Sequence, residues 1–390
     1  MYRKLKIGIL RETKVPVDNR TPLLPEQADY CQREYGVKIV VKSSGIRCAC
    51  DDDYRAFGID VVNDVSDCDV LMGVKEVKID NLIPNKHYMF FSHIAKMQPY
   101  NRDLLDAVIT KKITLTDYEY LKENGKRIVA FGYYAGAVGV YNTIRLYGLK
   151  TGKFLMEPPK EWYSLPALYG NIRMMLPKLK GVRIAVTGDG RAAHGAMDML
   201  DNSGIHSDGD CSYKQLVTED LVTNGQSYDR KHFHEKPSEY TSRFAEYISD
   251  FDILVSCHYW DERFPKYFTR DLMLKRDNRI KVVGDVTCDI DGSMECTIRP
   301  STHAEPFYDY SPVLGKEVPL FEDSNSISVM AVDTLPNALP VESSRSFGEM
   351  VMQRVIPSLL SDGKIIRNAT LVDNGTITKQ FEYLKDFAHG

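Results

Sequence analysis

The fold that we predict for this chain is decided by the stretch Gly181–Leu200, which reads GVRIAVTGDGRAAHGAMDML. Its first part is a short, largely apolar run of the kind that forms a buried parallel strand. Glycines follow at once, and after them comes a run of small and apolar residues typical of a helix. A strand that passes through glycines into a helix is the expected start of a dinucleotide-binding unit.

The glycines have the spacing of the dinucleotide fingerprint G-x-G-x-x-G/A, with Gly188, Gly190 and Ala193 at its fixed positions. Gly188 permits a tight turn, and Gly190 lets the backbone approach a pyrophosphate. Ala193 or Gly195 allows close packing of the helix on the strand. The helix that begins at Arg191 offers N–H groups and a positive dipole end to phosphates. A purely structural turn is the alternative, but the flanking strand and helix favour cofactor binding.

The acid that binds the adenosine ribose is expected about 20 residues further on, at the end of the next strand. Asp208 and Asp210 have that offset, and Asp208 is our candidate ribose ligand. The surrounding segment NSGIHSDGDCSYKQ is a poor strand, so both acids could instead be turn residues. The choice between NAD and NADP therefore stays open.

The first third of the chain alternates short apolar runs with helical segments, which predicts a mostly parallel sheet covered by helices. We place its strands at Lys6–Leu10, Lys38–Val41, Val70–Val74, Tyr88–Ser92 and Ile113–Asp117. The helices are predicted at Pro25–Tyr35, Asp52–Phe57 and Asn101–Lys111.

A second α/β block begins at Gly181, with further strands predicted at Phe251–Cys257, Ile280–Val286 and Ile327–Val332. Between the two blocks, the small-residue-rich run Phe131–Leu149 is predicted to be a buried connecting helix. The polar segment 201–249 has no clear periodicity. From Phe347 to about Leu360 we expect a helix, followed by a polar extension.

Three ionisable residues come at or just after strand ends in the first block, namely Lys75, His93 and Glu119. The carboxyl ends of neighbouring parallel strands meet at one edge of a sheet, so these side chains should converge on one crevice. A lysine and a histidine near a carboxylate can hold one another's pKa near neutrality, which acid–base catalysis needs. Taken singly, the lysine could be a solvated charge and the histidine a structural one.

Three further charged residues are candidate ligand-binding groups. Arg20, after a proline-containing loop that also holds Lys14, is a plausible fork for a carboxylate, with a surface salt bridge as the alternative. Asp333 follows the strand predicted at Ile327–Val332. It could orient a ligand at the strand end or cap the next helix.

The bulk composition excludes several classes of protein. The 390 residues suggest two domains, and the net charge of -4 is spread without a basic block, so a nucleic-acid partner is not expected. The eight cysteines include no CxxC and no zinc spacing, which indicates a reduced, intracellular protein without a predicted metal site. No signal peptide and no apolar run of about 18 residues is present, so we expect a cytoplasmic protein without a membrane span.

Taken together, ten segments resemble lysine-forming saccharopine dehydrogenases and the lysine–ketoglutarate reductase domain of bifunctional aminoadipic semialdehyde synthases. The resemblance runs from Lys6 to beyond Gly348. The broader group, which includes alanine dehydrogenase and the nicotinamide transhydrogenase domain, shares the VKE lysine and a downstream histidine. The segments are KIGILRETKVPVDNRTPLLP, GVKE, FFSHIAKMQPYNRDLLD, LTDYEYL, GKRIVAFGYYAGAVGVYN, VTGDGRAAHGA, YTSRF, HYWDERFP, GDVTCDIDGSMECT and MAVDTLPNALPVESSRSFG.

The resemblance implies an α/β fold of two Rossmann-like domains with parallel sheets and an active-site cleft between them. Residues 1–130 and 340–390 would form the substrate and catalytic domain, and residues 131–339 the NAD(P)-binding domain. The implied activity is the reversible NAD(P)-dependent interconversion of saccharopine with L-lysine and 2-oxoglutarate. The partners would be small amino-acid and 2-oxo-acid substrates, with monomer or homodimer left open.

The same resemblance implies a role for each catalytic candidate. Lys75 would take the proton from the secondary amine, and His93 would activate the water that attacks the imine. Glu119 matches the carboxylate that pairs with the lysine and balances its charge. No metal is needed, because a protonated imine is already electrophilic.

Binding roles are implied in the same way. Arg20 matches an arginine for the substrate carboxylate, and Asp333 an aspartate near cofactor and substrate with Lys14 as its neutralising partner. Arg127 and Phe131 match residues that line the cofactor and substrate cleft.

The segment Ile205–Asp229 departs from the family pattern, which leaves the cofactor identity open. An alanine dehydrogenase or another amino-acid or opine dehydrogenase on the same scaffold is the first alternative. A catalytically silent nucleotide-binding protein is the second.

Overall fold

A computed structural model describes residues 4–361 and 363–389. Residues 1–3, 362 and 390, which belong to the predicted ranges 1–130 and 340–390, lie outside the described residues. The chain divides into two compact units. The first contains the described residues of Met1–Phe131 and Pro340–Gly390, and the second is Gly132–Leu339. In the described part of the chain, no helix combines the length and the apolar character needed to cross a membrane.

The first unit is built on an eight-stranded sheet in which six adjacent strands, counted from one edge, are parallel. Numbered along the chain, these six lie in the order 3-2-1-4-5-6, which is the order of doubly wound dinucleotide-binding folds. The order reverses between the strands Lys6–Ile9 and Val70–Lys75. From edge to edge the strands are Asp60–Val62, Lys38–Lys42, Lys6–Ile9, Val70–Lys75, His87–Phe91, Thr114–Asp117, Thr370–Asp373 and Thr376–Ile377.

Helices cover this sheet because the strands are apolar on both faces, as parallel central strands must be. All six residues of Val70–Lys75 are buried. The helices of the first part of the chain are Pro25–Tyr35, Asp51–Ala56 and Arg102–Thr110. The first of them ends at Gly36, whose φ of 67° is left-handed and stops the helix.

The predicted helix near the C-terminus starts earlier than expected, at Pro340, and runs to Leu360 through a π-helical segment, Val351–Val355. Pro357 explains the widened turn, because it has no N–H for the carbonyl four residues earlier and its ring crowds that carbonyl.

The prediction of a polar extension after Leu360 is wrong. A helix follows at Lys364–Asn368, and two strands then join the sheet, with Thr370–Asp373 antiparallel to Thr114–Asp117. A last helix spans Leu384–His389. The joining strand has only four residues, too few for a periodic signal, but Leu371 and Val372 are fully buried.

The second unit is built on a seven-stranded sheet with five parallel and two antiparallel strands. The antiparallel strands Phe307–Ser311 and Lys316–Val318 were not predicted. From edge to edge the strands are Ser212–Leu216, Arg183–Thr187, Ile253–Ser256, Val282–Asp285, Ile327–Met330, Phe307–Ser311 and Lys316–Val318. A two-residue ladder in this unit pairs Val222–Thr223 with Thr241–Ser242, and another in the first unit pairs Lys122–Glu123 with Lys126–Arg127. The predicted α/β class with Rossmann-like parallel sheets is confirmed.

The helix predicted at Phe131–Leu149 is present as Gly132–Thr151, and it packs on the helix Arg191–Asn202. Glycines make this approach possible. A Cβ on Gly136 would lie 1.8 Å from the Ala192 carbonyl oxygen, and one on Gly195 would lie 1.9 Å from that of Tyr133. The other helices of this unit are Leu165–Met175, Thr218–Leu221, Arg230–Glu235 and Arg270–Met273.

Candidate active site

Lys75 is the last residue of its strand and borders the point in the first sheet where the strand order reverses. Its side chain is buried, with 8% exposure. Its backbone N–H donates to Glu12 Oε2 at 3.0 Å, and that of Val74 donates to Glu12 Oε1 at 2.7 Å. Glu12 comes three residues after the strand Lys6–Ile9, so one carboxylate ties together the two strands that flank the reversal point.

His93 lies two residues beyond the neighbouring strand His87–Phe91, with a left-handed φ of 55°. Asn101 Nδ2 donates to the His93 carbonyl at 3.0 Å and holds this turn. Burial, and then the charges of Lys75 and Lys96, lower the pKa of the imidazole to about 4, against the opposing effect of Glu119. His93 is therefore neutral at neutral pH and able to accept a proton.

Glu119 lies in the short turn Tyr118–Tyr120 that follows the next strand, Thr114–Asp117. Burial would raise the pKa of Glu119, but the charges of Arg127, Lys96 and His93 outweigh it and lower that pKa. Arg127 Nη2 donates to Glu119 Oε1 at 2.7 Å. The carboxylate is therefore ionised, and Arg127 forms an ion pair with it.

The structure thus brings the three catalytic candidates to one edge of one sheet. Their strands are adjacent and parallel, with Lys75 opposite Phe91 and Phe90 opposite Asp117 in the register. The electrostatic influence of both other candidates on His93 reflects this closeness.

Two buried carboxylates near these candidates were missed from the sequence, namely Glu12 and Asp117. Asp117 accepts hydrogen bonds from the backbone and hydroxyl of Ser92 and from the Glu119 N–H. The only sequence signal is an acid within a few residues of the end of an apolar strand, and several solvated acids share that pattern.

Arg20 lies in a buried cluster, so the alternative of a surface salt bridge is wrong. Its exposure is 4%, and its Nε and Nη2 donate to Asp18 at 2.9 and 2.6 Å. The guanidinium lies 4.2 Å from the centre of the Phe131 ring, which stacks on Phe347 at 4.4 Å. Burial would raise the pKa of Asp18, but Arg20 outweighs it, so the pair is ionised. Two of the five N–H donors of Arg20 face Asp18.

The remaining two substrate-binding candidates lie in different units. Lys14 forms an ion pair with Glu76 at 3.3 Å in the first unit. Asp333 is exposed and lies in the second unit, just after the strand Ile327–Met330. The N-cap position of the following turn Leu335–Ala338 is Thr334.

In the second unit, the glycine loop lies where the strand order reverses between Arg183–Thr187 and Ile253–Ser256. Gly188 has a φ of 93°, and a Cβ there would lie 2.7 Å from the Cα of His258, so only glycine fits. Gly190 caps the helix that begins at Arg191, and a Cβ on Gly190 would meet no atom within 4 Å. The open space at Gly190 beside a helix start fits a phosphate-bearing dinucleotide.

Two residues of the fingerprint helix have packing roles. Ala193 is fully buried. Gly195 was expected to let the helix pack on a strand, but the structure places it against the backbone of Tyr133 in the helix Gly132–Thr151. The close contact is therefore between two helices.

The prediction that Asp208 is the ribose ligand is contradicted by its position. Asp208 precedes the strand Ser212–Leu216 and so lies at the amino end of the parallel strands, whereas Gly188 follows the carboxyl end of its strand. The rule that places the ribose ligand about 20 residues after the glycines failed, because at that distance the chain forms a loop before the strand Ser212–Leu216. Asp210 lies at the same wrong end.

The carboxyl end of that strand carries different polar groups. Gln215 Nε2 donates to the Gly188 carbonyl at 2.8 Å, which orients the glycine loop. The first acids beyond the strand are Glu219 and Asp220, and Asp220 accepts from the Val217 N–H at 2.9 Å.

His258 is a further residue that the sequence did not reveal. Its Nδ1 contacts Thr187 Oγ1 at 2.7 Å and its Nε2 contacts Ser293 Oγ at 2.8 Å, and burial lowers its pKa to about 3. A neutral histidine thus fixes the backbone against which Gly188 packs. All eight cysteines are free thiols, and the described residues contain no group of three or more His, Cys, Asp or Glu placed to hold a metal.

Comparison with known proteins agrees with this geometry. Residues 8–138 match the family profile described as alanine dehydrogenase/PNT, N-terminal domain. A solved L-alanine dehydrogenase has the same fold, with a TM-score of 0.68 at 16% identity over 98% of this chain and 100% of that one.

Two curated relatives make the comparison more specific. The chain is 29% identical to an alpha-aminoadipic semialdehyde synthase of Arabidopsis thaliana, over 97% of its own length and 41% of the relative's. It is 27% identical to a lysine-forming, NAD(+)-dependent saccharopine dehydrogenase of Schizosaccharomyces pombe, over 90% of its own length and 92% of the relative's. The chain therefore spans less than half of the first relative. The resemblance predicted from the sequence is confirmed.

Proposed function

We propose that this chain is an NAD(P)-dependent oxidoreductase that interconverts saccharopine with L-lysine and 2-oxoglutarate. The observation that carries the proposal is the convergence of Lys75, His93 and Glu119 at the carboxyl ends of three adjacent parallel strands. A neutral imidazole, a buried lysine and an ionised carboxylate together can accept and return protons. The similarity to a saccharopine dehydrogenase and to aminoadipic semialdehyde synthases supports this substrate class.

In this proposal the second unit holds the dinucleotide, with its phosphates at Gly188, Gly190 and the helix start at Arg191. The nicotinamide, when bound, supplies a two-electron hydride acceptor or donor. The first unit holds the amino-acid substrate. The chain's own groups then have to bind carboxylates and move protons.

The proton transfers can be assigned atom by atom. Lys75 Nζ accepts the proton of the secondary amine as the carbon–nitrogen bond becomes an imine. His93 removes a proton from water, whose oxygen bonds to the imine carbon. The carbon–nitrogen bond then breaks, and the amine nitrogen of lysine leaves with a returned proton. In sum, saccharopine, water and oxidised cofactor give lysine, 2-oxoglutarate, reduced cofactor and one proton.

Substrate carboxylates need fixed cations. Arg20 is our choice for one carboxylate, because Asp18 and the Phe131 ring hold its guanidinium in one orientation. Lys14 and Asp333 are retained as groups that contact substrate or cofactor, and Arg127 as the residue that keeps Glu119 charged.

The test is a panel of amines and 2-oxo acids with NADH and NADPH, followed at the nicotinamide absorbance band. We expect turnover with lysine plus 2-oxoglutarate. Turnover with ammonia plus pyruvate alone would instead indicate an alanine dehydrogenase. Absence of any turnover, with dinucleotide still bound, would indicate a catalytically silent protein. Lys75→Met and His93→Gln are the control variants and should abolish the activity.

A further inference from the structure

Two fully enclosed acids hold the strand ends that carry the acid–base candidates. Glu12 and Asp117 are 8% and 0% exposed. Burying a carboxylate costs free energy unless strong hydrogen bonds compensate, and apolar residues of similar volume are often no less stabilising. Each of these acids therefore calls for a role beyond filling space.

Both carboxylate oxygens of Glu12 accept hydrogen bonds from backbone amides at the end of one strand. Oε1 accepts from Val74 N–H at 2.7 Å and Oε2 from Lys75 N–H at 3.0 Å. The strand pairing is irregular between Met72 and Lys75, so the ladder does not fix this stretch by itself. The carboxylate supplies the missing anchor and sets where the backbone of Lys75 lies.

Asp117 does the same for the other two candidates. Its Oδ2 accepts from the Ser92 N–H at 3.0 Å and the Ser92 hydroxyl at 2.5 Å, and its Oδ1 accepts from the Glu119 N–H at 2.8 Å. Ser92 immediately precedes His93. One carboxylate therefore sets the spacing between the backbone of His93 and that of Glu119.

We propose that Glu12 and Asp117 are positioning residues that hold Lys75, His93 and Glu119 in register for proton transfer, an inference that rests on the proposed function. Neither carboxylate touches the reacting atoms. Each acts through backbone N–H groups at a strand end, where a small displacement moves a catalytic side chain relative to its partner. Proton transfer depends steeply on such distances.

The isosteric variants Glu12→Gln and Asp117→Asn test this directly. Each keeps the shape but replaces one acceptor oxygen with an NH2 that opposes a backbone N–H. We expect kcat to fall about 10- to 100-fold, with an unchanged KM for the dinucleotide and a shifted pH profile of kcat/KM. Wild-type kcat and pH profile in a folded variant would overturn the proposal.

The matched control is Asp309→Asn in the second unit. Asp309 is equally buried and accepts hydrogen bonds from Ser326, Ser328 and the backbone of Phe321. Its substitution should lower the melting temperature without moving the pH profile. If Asp117→Asn does not fold, Ser92→Ala removes the hydroxyl bond alone and should give a smaller change of the same kind, and an unchanged pH profile there would equally overturn the role of Asp117.

If the unmodified protein shows no turnover, the proposed function is rejected. The positioning role is then tested by NMR of the His93 imidazole. The imidazole resonances of His93 should shift in Asp117→Asn and stay in place in Asp309→Asn. Unmoved resonances in both variants would reject the positioning role separately.

Discussion

Arg127 and Glu119 form a 2.7 Å hydrogen-bonded ion pair beside the histidine of the candidate site. Glu119 is enclosed enough that burial alone would raise its pKa, and Arg127 is the largest of the opposing influences. The ion pair with Arg127 therefore keeps Glu119, the acidic member of the three catalytic candidates, ionised. Arg127 was expected to line the cofactor and substrate cleft, and this contact gives it a defined electrostatic role.

Removing the arginine should raise the pKa of Glu119. In Arg127→Met the burial effect is no longer outweighed to the same extent, so the carboxylate binds its proton at a higher pH. Carbon NMR titration of glutamate carboxyl groups would measure the shift. Arg354→Met, which removes the partner of Glu123 in the same unit, is the control and should leave Glu119 unchanged.

The pKa of His93 should respond to its two neighbours with opposite signs. It lies at about 4 because burial and the charge of Lys75 disfavour the imidazolium, while Glu119 favours it. Lys75→Met should raise this pKa and Glu119→Gln should lower it. NMR titration of the histidine resonances in each variant gives the pKa of His93. His87, whose pKa burial also lowers to about 4, is the internal reference and should not move.

Glu12 should make stability depend on pH in a direction unusual for a carboxylate. Burial raises its pKa from the usual 4.5 to about 7. The protonated Glu12 therefore contributes fully to the free energy of unfolding below pH 4.5. As pH rises through 7, this contribution is lost, which lowers the free energy of unfolding by about 3 kcal/mol for a shift of this size. Urea unfolding of Glu12→Gln across this range should lack that loss. Parallel pH curves for the two proteins would contradict the raised pKa.

Gly195 should not tolerate a methyl group. A Cβ there would lie 1.9 Å from the Tyr133 carbonyl oxygen, which belongs to backbone and cannot rotate away. Gly195→Ala should lower the unfolding free energy by about 1–3 kcal/mol or more, as overpacking does. Gly170→Ala is the control: a Cβ there meets nothing within 4 Å in the helix Leu165–Met175, so alanine should stabilise by about 0.5–1 kcal/mol.

Dinucleotide affinity should distinguish the glycine loop from the rejected ribose candidate. Asp208→Ala should leave the dissociation constant unchanged, because Asp208 lies at the opposite end of the strands. Gly188→Ala should weaken binding strongly, since its φ of 93° and the backbone of His258 exclude a side chain. Calorimetry with the reduced dinucleotide measures both. Weakened binding in Asp208→Ala would contradict the topology described above.

The sequence could predict the parallel strands and the glycine loop because their signals are local. The strand before Gly188 is largely apolar, and the fingerprint has a fixed spacing. Lys75, His93 and Glu119 could be grouped for a related reason, since parallel topology alone brings the ends of neighbouring strands to one edge.

The remaining features depend on contacts between distant residues. Glu12 lies 63 residues before the amide of Lys75 that it holds, and nothing in its own surroundings distinguishes it from a solvated acid. Asp208 failed because a rule about spacing assumed a strand where the chain makes a loop. The strand Thr370–Asp373 is recognisable only by its partner Thr114–Asp117, which lies far earlier in the chain.

The late position of the strand Thr370–Asp373 in the chain has a consequence for biosynthesis. Its partner is translated early, but the sheet of the first unit stays incomplete until residues beyond Gly132–Leu339 have been made. All strands of the second unit lie within one continuous stretch. On the ribosome, the unit Gly132–Leu339 can therefore finish folding before the unit that its flanking segments form, although part of that unit is translated first.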